Sequence, residues 1–227
     1  MPREQYQTKL EGLRDDVLYM SELVAERLRM GLDALERQDS ELGQKVITGD
    51  AEINDLYLEL EGRCTDLIAL QQPVAGDLRF IAASFKIITD LERIADLAVN
   101  LAEYGHPETG GVHPAIDIRG IGGLAGELVV DALDAYERAD PEACRAVAAR
   151  DDELDERCRL AAEQVVRELV ADRSVESAAG EDAFAAELDE VSRALLTVRD
   201  LERVGDHGVN IAARSLYMIE SDDELIY

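Results

Sequence analysis

One eleven-residue stretch occurs twice in this chain, and that doubling constrains the fold more than any other feature. DLERIADLAVN runs from Asp90 to Asn100 and DLERVGDHGVN from Asp200 to Asn210, with Asp, Leu, Glu, Arg, Asp, Val and Asn at matching places. Both copies carry the spacing of a helix. Leu91, Ile94, Ala95 and Ala98 fall at i, i+3, i+4 and i+7, as do Leu201, Val204, Gly205 and Gly208. Beside the apolar stripe runs a polar one: Glu92, Asp96, Asn100 and Glu103, then Glu202, Asp206 and Asn210. Like charges four residues apart on a helix cost about 0.2–0.5 kcal/mol unless a cation lies between them. Arg93 and Arg203, next in sequence, are expected to point elsewhere. A repeated and locally unfavourable carboxylate pair therefore predicts a divalent-metal site on each copy.

The rest of the chain repeats around the motif. Leu10, Leu13, Val17, Met20, Val24, Leu28 and Leu35 predict a helix over 4–37. Asp39 or Ser40 can cap a second helix, which runs to Gln72-Pro73. A third starts near Gly76-Asp77 and carries the first motif to about Tyr104. Residues 105–122 break the pattern with Gly and Pro. The segment at 131–151 then aligns with that at 30–50, Asp140 caps a fifth helix with Pro141 at its first position, and a breaker at 173–181 precedes a sixth helix from about Asp182 to Ile219. The tail SDDELIY is expected to fray. The predicted fold is all-α: a tandem repeat of two three-helix bundles with pseudo-twofold symmetry, comprising residues 1–105, a linker at 106–117, and residues 118–227.

Composition excludes several classes. The formal charge of −27 repels nucleic acid. Only Lys9, Lys45 and Lys86 are lysines, and so acidic and lysine-poor a chain suits concentrated salt, which points to a halophilic archaeon. Cys64, Cys144 and Cys158 are scattered on predicted helices, as buried thiols of a reducing cytoplasm would be. No apolar run approaches the ~18 residues of a membrane span, so membrane association is expected only through partners. No nucleophile stands beside a base and no Gly-rich loop joins strand to helix, which argues against an enzyme.

With two three-helix halves, each ending in D-L-E-R-[IV]-x-D-x-x-x-N, and with QQPVAGDLR at 71–79, the chain resembles the PhoU family over nearly its whole length. The resemblance implies multinuclear metal sites at the E/D-x-x-x-D motifs, hence Glu92, Asp96, Glu202 and Asp206. Asp90, Asn100, Asp200 and Asn210 are further candidates in the same motifs. Divalent or trivalent ions (Fe, Mn, Mg or Zn) are implied, and oxygen-only ligands favour Mg, Mn or Fe. The implied function is negative regulation of phosphate uptake and phosphate-starvation signalling. The implied partners are the ATPase subunit of a phosphate-specific ABC transporter, a sensor histidine kinase where one exists, and a second copy of the chain in a homodimer. A metal-free helical adaptor is the alternative. A carboxylate-bridged di-metal protein is a poorer one, since its Glu-x-x-His spacing occurs only at Glu103–His106, which runs into Pro107.

The halves also differ. Leu97 stands where the second copy has His207, and Ala95 and Ala98 where it has Gly205 and Gly208; Asp77-Leu78-Arg79 is matched by Glu187-Leu188-Asp189. Asp50, Glu52 and Asp55, with Asp151, Glu153 and Glu156, either approach the motifs across the bundle or form exposed acidic surface, and exposed surface is the expectation.

The charge makes one prediction directly. The screening length grows from ~3 Å at 1 M salt to ~30 Å at 0.01 M, so the carboxylates repel one another increasingly as salt is withdrawn. Thermal unfolding across that series is expected to show a midpoint that rises with salt; a flat midpoint overturns the halophilic reading.

Overall fold

A computed structural model describes residues 3–70, 73–106, 112–175 and 181–226. Gln71-Gln72, residues 107–111 of the linker and residues 176–180 of the second breaker lie outside them. Six helices follow one another: α1 (Arg3–Arg37), α2 (Ser40–Leu70), α3 (Ala75–Tyr104), α4 (Ile118–Arg138), α5 (Pro141–Val175) and α6 (Glu181–Glu220), with no strand among the described residues. None of these helices is long and apolar enough to cross a membrane.

The helix stops are chemical. After α1, Gln38 turns into the left-handed region (φ 53°) and Asp39 N–H donates to the Ala34 carbonyl at 3.1 Å. Asp39 Oδ1 then accepts from the backbone N–H groups of Glu41 and Leu42, both at 3.0 Å, opening α2. The second half repeats the device. Ala139 has φ 52°, Asp140 N–H donates to the Ala135 carbonyl at 3.0 Å, and Asp140 Oδ1 accepts from Glu142 and Ala143. The aspartate, and not Ser40, is the cap.

Three expectations need correction. The Gly-rich stretch at 118–122 is helix, because Asp117 Oδ1 accepts from Gly120 N–H at 2.9 Å and Ile118, Ile121, Leu124, Ala125 and Leu128 form a buried stripe. Burying that stripe outweighs the ~1 kcal/mol that each glycine costs a helix. Residues 173–175 continue α5. The tail does not fray over its described residues: Arg145 on α5 gathers Glu220, Asp222 and Glu224, and Leu225 packs on the core.

Within the first half α1 and α2 both pack on α3, and within the second α4 and α5 both pack on α6. The halves join through α3–α6 and α1–α4, so α1, α3, α6 and α4 form a closed ring with α2 and α5 outside it. One continuous apolar core contains residues of all six helices. Cys64, Cys144 and Cys158 are free and buried in it, and burial pushes their thiols up to about 11, 11 and 12.

Close approach of the ring helices depends on missing side chains. A Cβ at Gly31 would stand 2.7 Å from the Ala98 carbonyl oxygen, where α1 meets α3. In the second half the small residue has changed helix: a Cβ on Gly208 of α6 would stand 3.2 Å from the Leu128–Val129 backbone of α4. Alanine is favoured over glycine in a helix by about 1 kcal/mol, so a glycine kept here reflects space. Gly31→Ala is expected to destabilise by about 1–3 kcal/mol through overpacking against backbone. Gly62→Ala, which meets nothing within 4 Å, should be neutral or stabilising. Urea unfolding of the two variants checks this, and equal effects would overturn it.

Candidate metal centre: two acidic clusters beside a polar seam

The four residues first singled out lie at two repeated places, each where the last helix of a half meets the middle one. In the second half Asp151 and Asp155, one turn apart on α5, face Asp206 of α6. One carboxylate oxygen from each lies within 4.8 Å of the others. Asp151 is partly buried, and Asp155 and Asp206 are exposed. The Asp151 carboxyl is pushed up to about 6, first by burial and then by Asp155, Asp206, Asp152 and Glu202. Burial followed by Asp155 also raises Glu202 and Asp206. Glu202 thus shares the field of this cluster.

The first half carries the corresponding set, with one charge fewer. Asp50 of α2 is raised by burial and then by Asp96, and Glu92 by burial, then Asp96, with Asp50 adding to it. Asn54 stands where the second half has Asp155, and its amide donates to Asp50 Oδ2 at 2.7 Å. Arg93 does not point away as expected. Its Nε lies 3.4 Å from Glu92 and its Nη1 3.2 Å from Asp96, which gives this pair an internal counter-charge. Arg203, by contrast, turns toward Asp200 at 3.9 Å.

One observation separates these clusters from ordinary acidic surface. Asp50 Oδ1 and Asp151 Oδ1 are both buried and have no hydrogen-bond partner. An unpartnered buried carboxylate oxygen costs about 1–3 kcal/mol or more, and here the cost falls at matching positions of the two halves. Oxygen donors gathered on two helices, with one lone pair left open in each set, fit a hard or borderline cation.

The outer residues of each motif do other work. Asp200 is fully buried at the α3–α6 contact, where Oδ2 accepts from Asn100 Nδ2 at 3.2 Å and from the Tyr104 hydroxyl at 2.9 Å. Its Oδ1 accepts from Arg199 Nε and Nη2 at 3.1 and 2.9 Å. Burial and this bond push Tyr104 up to about 12. Asp90 of α3 pairs with His207 Nδ1 of α6 at 2.9 Å, whereas Leu97, the histidine's counterpart in the first half, is buried in the apolar core. The Asn210 side chain has no hydrogen-bond partner among the described residues. The motif is therefore split: its inner Glu and Asp face α2 or α5, while Asp90, Asn100 and Asp200 join the halves.

Of the acids on the middle helices, Asp50 and Asp151 reach the motifs, against the expectation that these acids are all exposed surface. Glu52, Glu153 and Glu156 pair instead with Arg27, Arg157 and Arg159. Asn54 and Asp155 were not singled out from sequence. The signal that finds them is the spacing D-x-x-x-[ND] at 50–54 and 151–155, the same one-turn carboxylate pattern as the motif itself.

The raised Asp151 carboxyl gives a signed prediction. Its folded pKa lies above its unfolded one, so in chelator-treated protein its contribution to stability falls as pH rises from about 4 to about 6. Asp151→Asn should then be more stable than the unsubstituted chain at pH 7–8 by about 1–2 kcal/mol, a figure reduced for partial exposure and screening. The difference should vanish below about pH 4. Urea titrations at both pH values test it, and a variant less stable at neutral pH refutes it.

Comparison with known proteins places this arrangement. The PhoU domain model matches twice, over residues 17–105 and 118–215. A relative in Clostridium acetobutylicum, named phosphate-specific transport system accessory protein PhoU homolog, is 30% identical over 96% of each chain. One of the same name in Pseudomonas aeruginosa is 31% identical over 97% of this chain and 87% of its own. The crystal structure of PhoU from Pseudomonas aeruginosa superposes with a TM-score of 0.86, at 30% identity, over 96% of this chain and all of that one. The doubled motif, the two three-helix halves and these likenesses agree: the chain belongs to the PhoU family.

Proposed function

We propose that this chain is a non-enzymatic negative regulator of phosphate uptake, acting in the cytoplasm on the ATPase subunit of a phosphate-specific transporter and, where one exists, on a sensor kinase. The names of its relatives as accessory proteins of phosphate-specific transport support the setting. A homodimer and a halophilic host belong to the same proposal. Within the chain, two sites hold metal: Asp151, Asp155, Glu202 and Asp206, and Asp50, Glu92 and Asp96 with Asn54. The observation that carries this is the pair of buried, unpartnered oxygens on Asp50 and Asp151. A bound cation would neutralise the carboxylates and tie each middle helix to its motif helix. The protein's own part is to hold four side chains on two helices at one level, with the α3–α6 seam fixing the motif helices to each other.

The two sites are unequal. The second set has four carboxylates and no arginine between its pair, whereas Arg93 bridges Glu92 and Asp96 in the first. That bridge favours the metal-free reading for the first half alone.

Metal analysis of protein purified without chelator tests the proposal. Glu202→Gln/Asp206→Asn is expected to lose more affinity for Mn or Fe than the ~10–100-fold that removal of an outer-shell partner costs, and Glu92→Gln/Asp96→Asn to change total metal less. Equal metal in the unsubstituted chain and both variants rules these residues out as ligands. In parallel, a strain lacking the chain should take up phosphate in excess when phosphate is plentiful. Unchanged uptake would sink the regulatory reading.

A further inference from the structure

The acidic clusters lie beside α3 and α6. On the α1–α4 side of the ring lies a groove of about 510 Å³. Ala25, Leu28 and Leu32 of α1 line one wall, and Gly122, Gly123 and Gly126 of α4 the other. A Cβ added to Gly123 meets nothing within 4 Å, and one on Gly126 meets only Leu32 Cδ1, at 3.7 Å. The α4 backbone is thus bare along a full turn, and Val130, also lining the groove, remains 47% exposed. Gly122 alone has an internal reason to lack a side chain, since its Cβ would stand 2.7 Å from Leu32 Cδ2.

The rim says what fits. Glu26, Glu127 and Asp131 border the groove with Arg29. Glu127 and Asp131 share the single guanidinium of Arg150, and Glu26 has no ion pair with any described residue. The rim keeps an excess of negative charge on a chain that already carries −27. A second copy docked groove to groove would bring the same carboxylates against these. A helix with an apolar stripe flanked by Lys and Arg would complement both floor and rim.

We propose that the α1–α4 groove is the docking site for a basic amphipathic helix of a partner protein. The proposal rests on the regulatory reading only in that such a regulator acts by docking. The probe is a fluorescein-labelled helical peptide of about 18 residues with leucines at i, i+3, i+4 and i+7 and lysines on both flanks, beside a twin with glutamate for lysine. Anisotropy is expected to show the lysine peptide binding and the glutamate twin not binding. Gly123→Leu fills the groove and should weaken binding about tenfold or more, while Glu26→Gln/Glu127→Gln should weaken it and flatten its salt dependence. If Gly123→Leu lowers the thermal midpoint, Val130→Glu at its exposed position carries the same test. Equal binding to the unsubstituted and Gly123→Leu chains means general attraction to an acidic surface and overturns the proposal. So does sedimentation showing a dimer that Gly123→Leu dissociates, because the occupant is then a second copy. A strain carrying Gly123→Leu should lose control of phosphate uptake while its protein keeps its metal. If control is intact the groove proposal fails, and the regulatory reading, tested by the strain lacking the chain, stands.

Discussion

Asp200 has no solvent exposure, and both of its oxygens are engaged: one by Arg199, the other by Asn100 and Tyr104 of the opposite half. A buried carboxylate is tolerable only when fully matched, and removing one partner of such a set costs about 3–5 kcal/mol. Apolar surfaces of α3 and α6 can slide with small losses, but this hydrogen-bond set is satisfied in one register. Asp90 and His207 fix the same contact at a second point. With both points held, the inner motif acids of each half can turn only toward their own α2 or α5.

That geometry makes the acidic clusters costly by construction. Each gathers carboxylates that raise one another's proton affinity, and each leaves one buried oxygen without a donor. A fold selected for stability alone would neutralise such sets with arginine, as this chain does on the outer face of α5, where Arg159 pairs with Glu156 and Glu163. Arg93 partly does so in the first half, and nothing equivalent lies between Glu202 and Asp206. At these repeated sites the two halves differ in electrostatic character through two substitutions, Asn54 for Asp155 and Leu97 for His207, and through the opposite turn of Arg93 and Arg203.

The ring of α1, α3, α6 and α4 gives the molecule two unlike sides. The α3–α6 side is polar, with clusters flanking a hydrogen-bonded seam. On the α1–α4 side the polar contacts stand at the two ends, where Arg119 pairs with Glu36 and Arg14 donates to the Glu137 carbonyl, and between them the glycine wall leaves apolar surface uncovered. Gly31 and Gly208 show the same economy inside the ring, where the absent Cβ is what brings two helices within backbone contact.

The helices and the duplication are legible in the chain alone, because a 3.6-residue apolar period and a capping aspartate are local properties that hold whatever they pack against. Glu92, Asp96, Glu202 and Asp206 are legible there as one-turn pairs, for the same reason. Which acids join them depends on helix packing. Asp50 and Asp151 look no different in sequence from Glu52 or Glu153, and the distinction arises from which side of α2 or α5 turns inward. Packing likewise decides that Asp90, Asn100 and Asp200 bind the halves together, that residues 118–122 are helix, and that the tail is clamped by Arg145. Each of these depends on a partner far away in the chain, and a local pattern carries no information about a partner supplied by the fold.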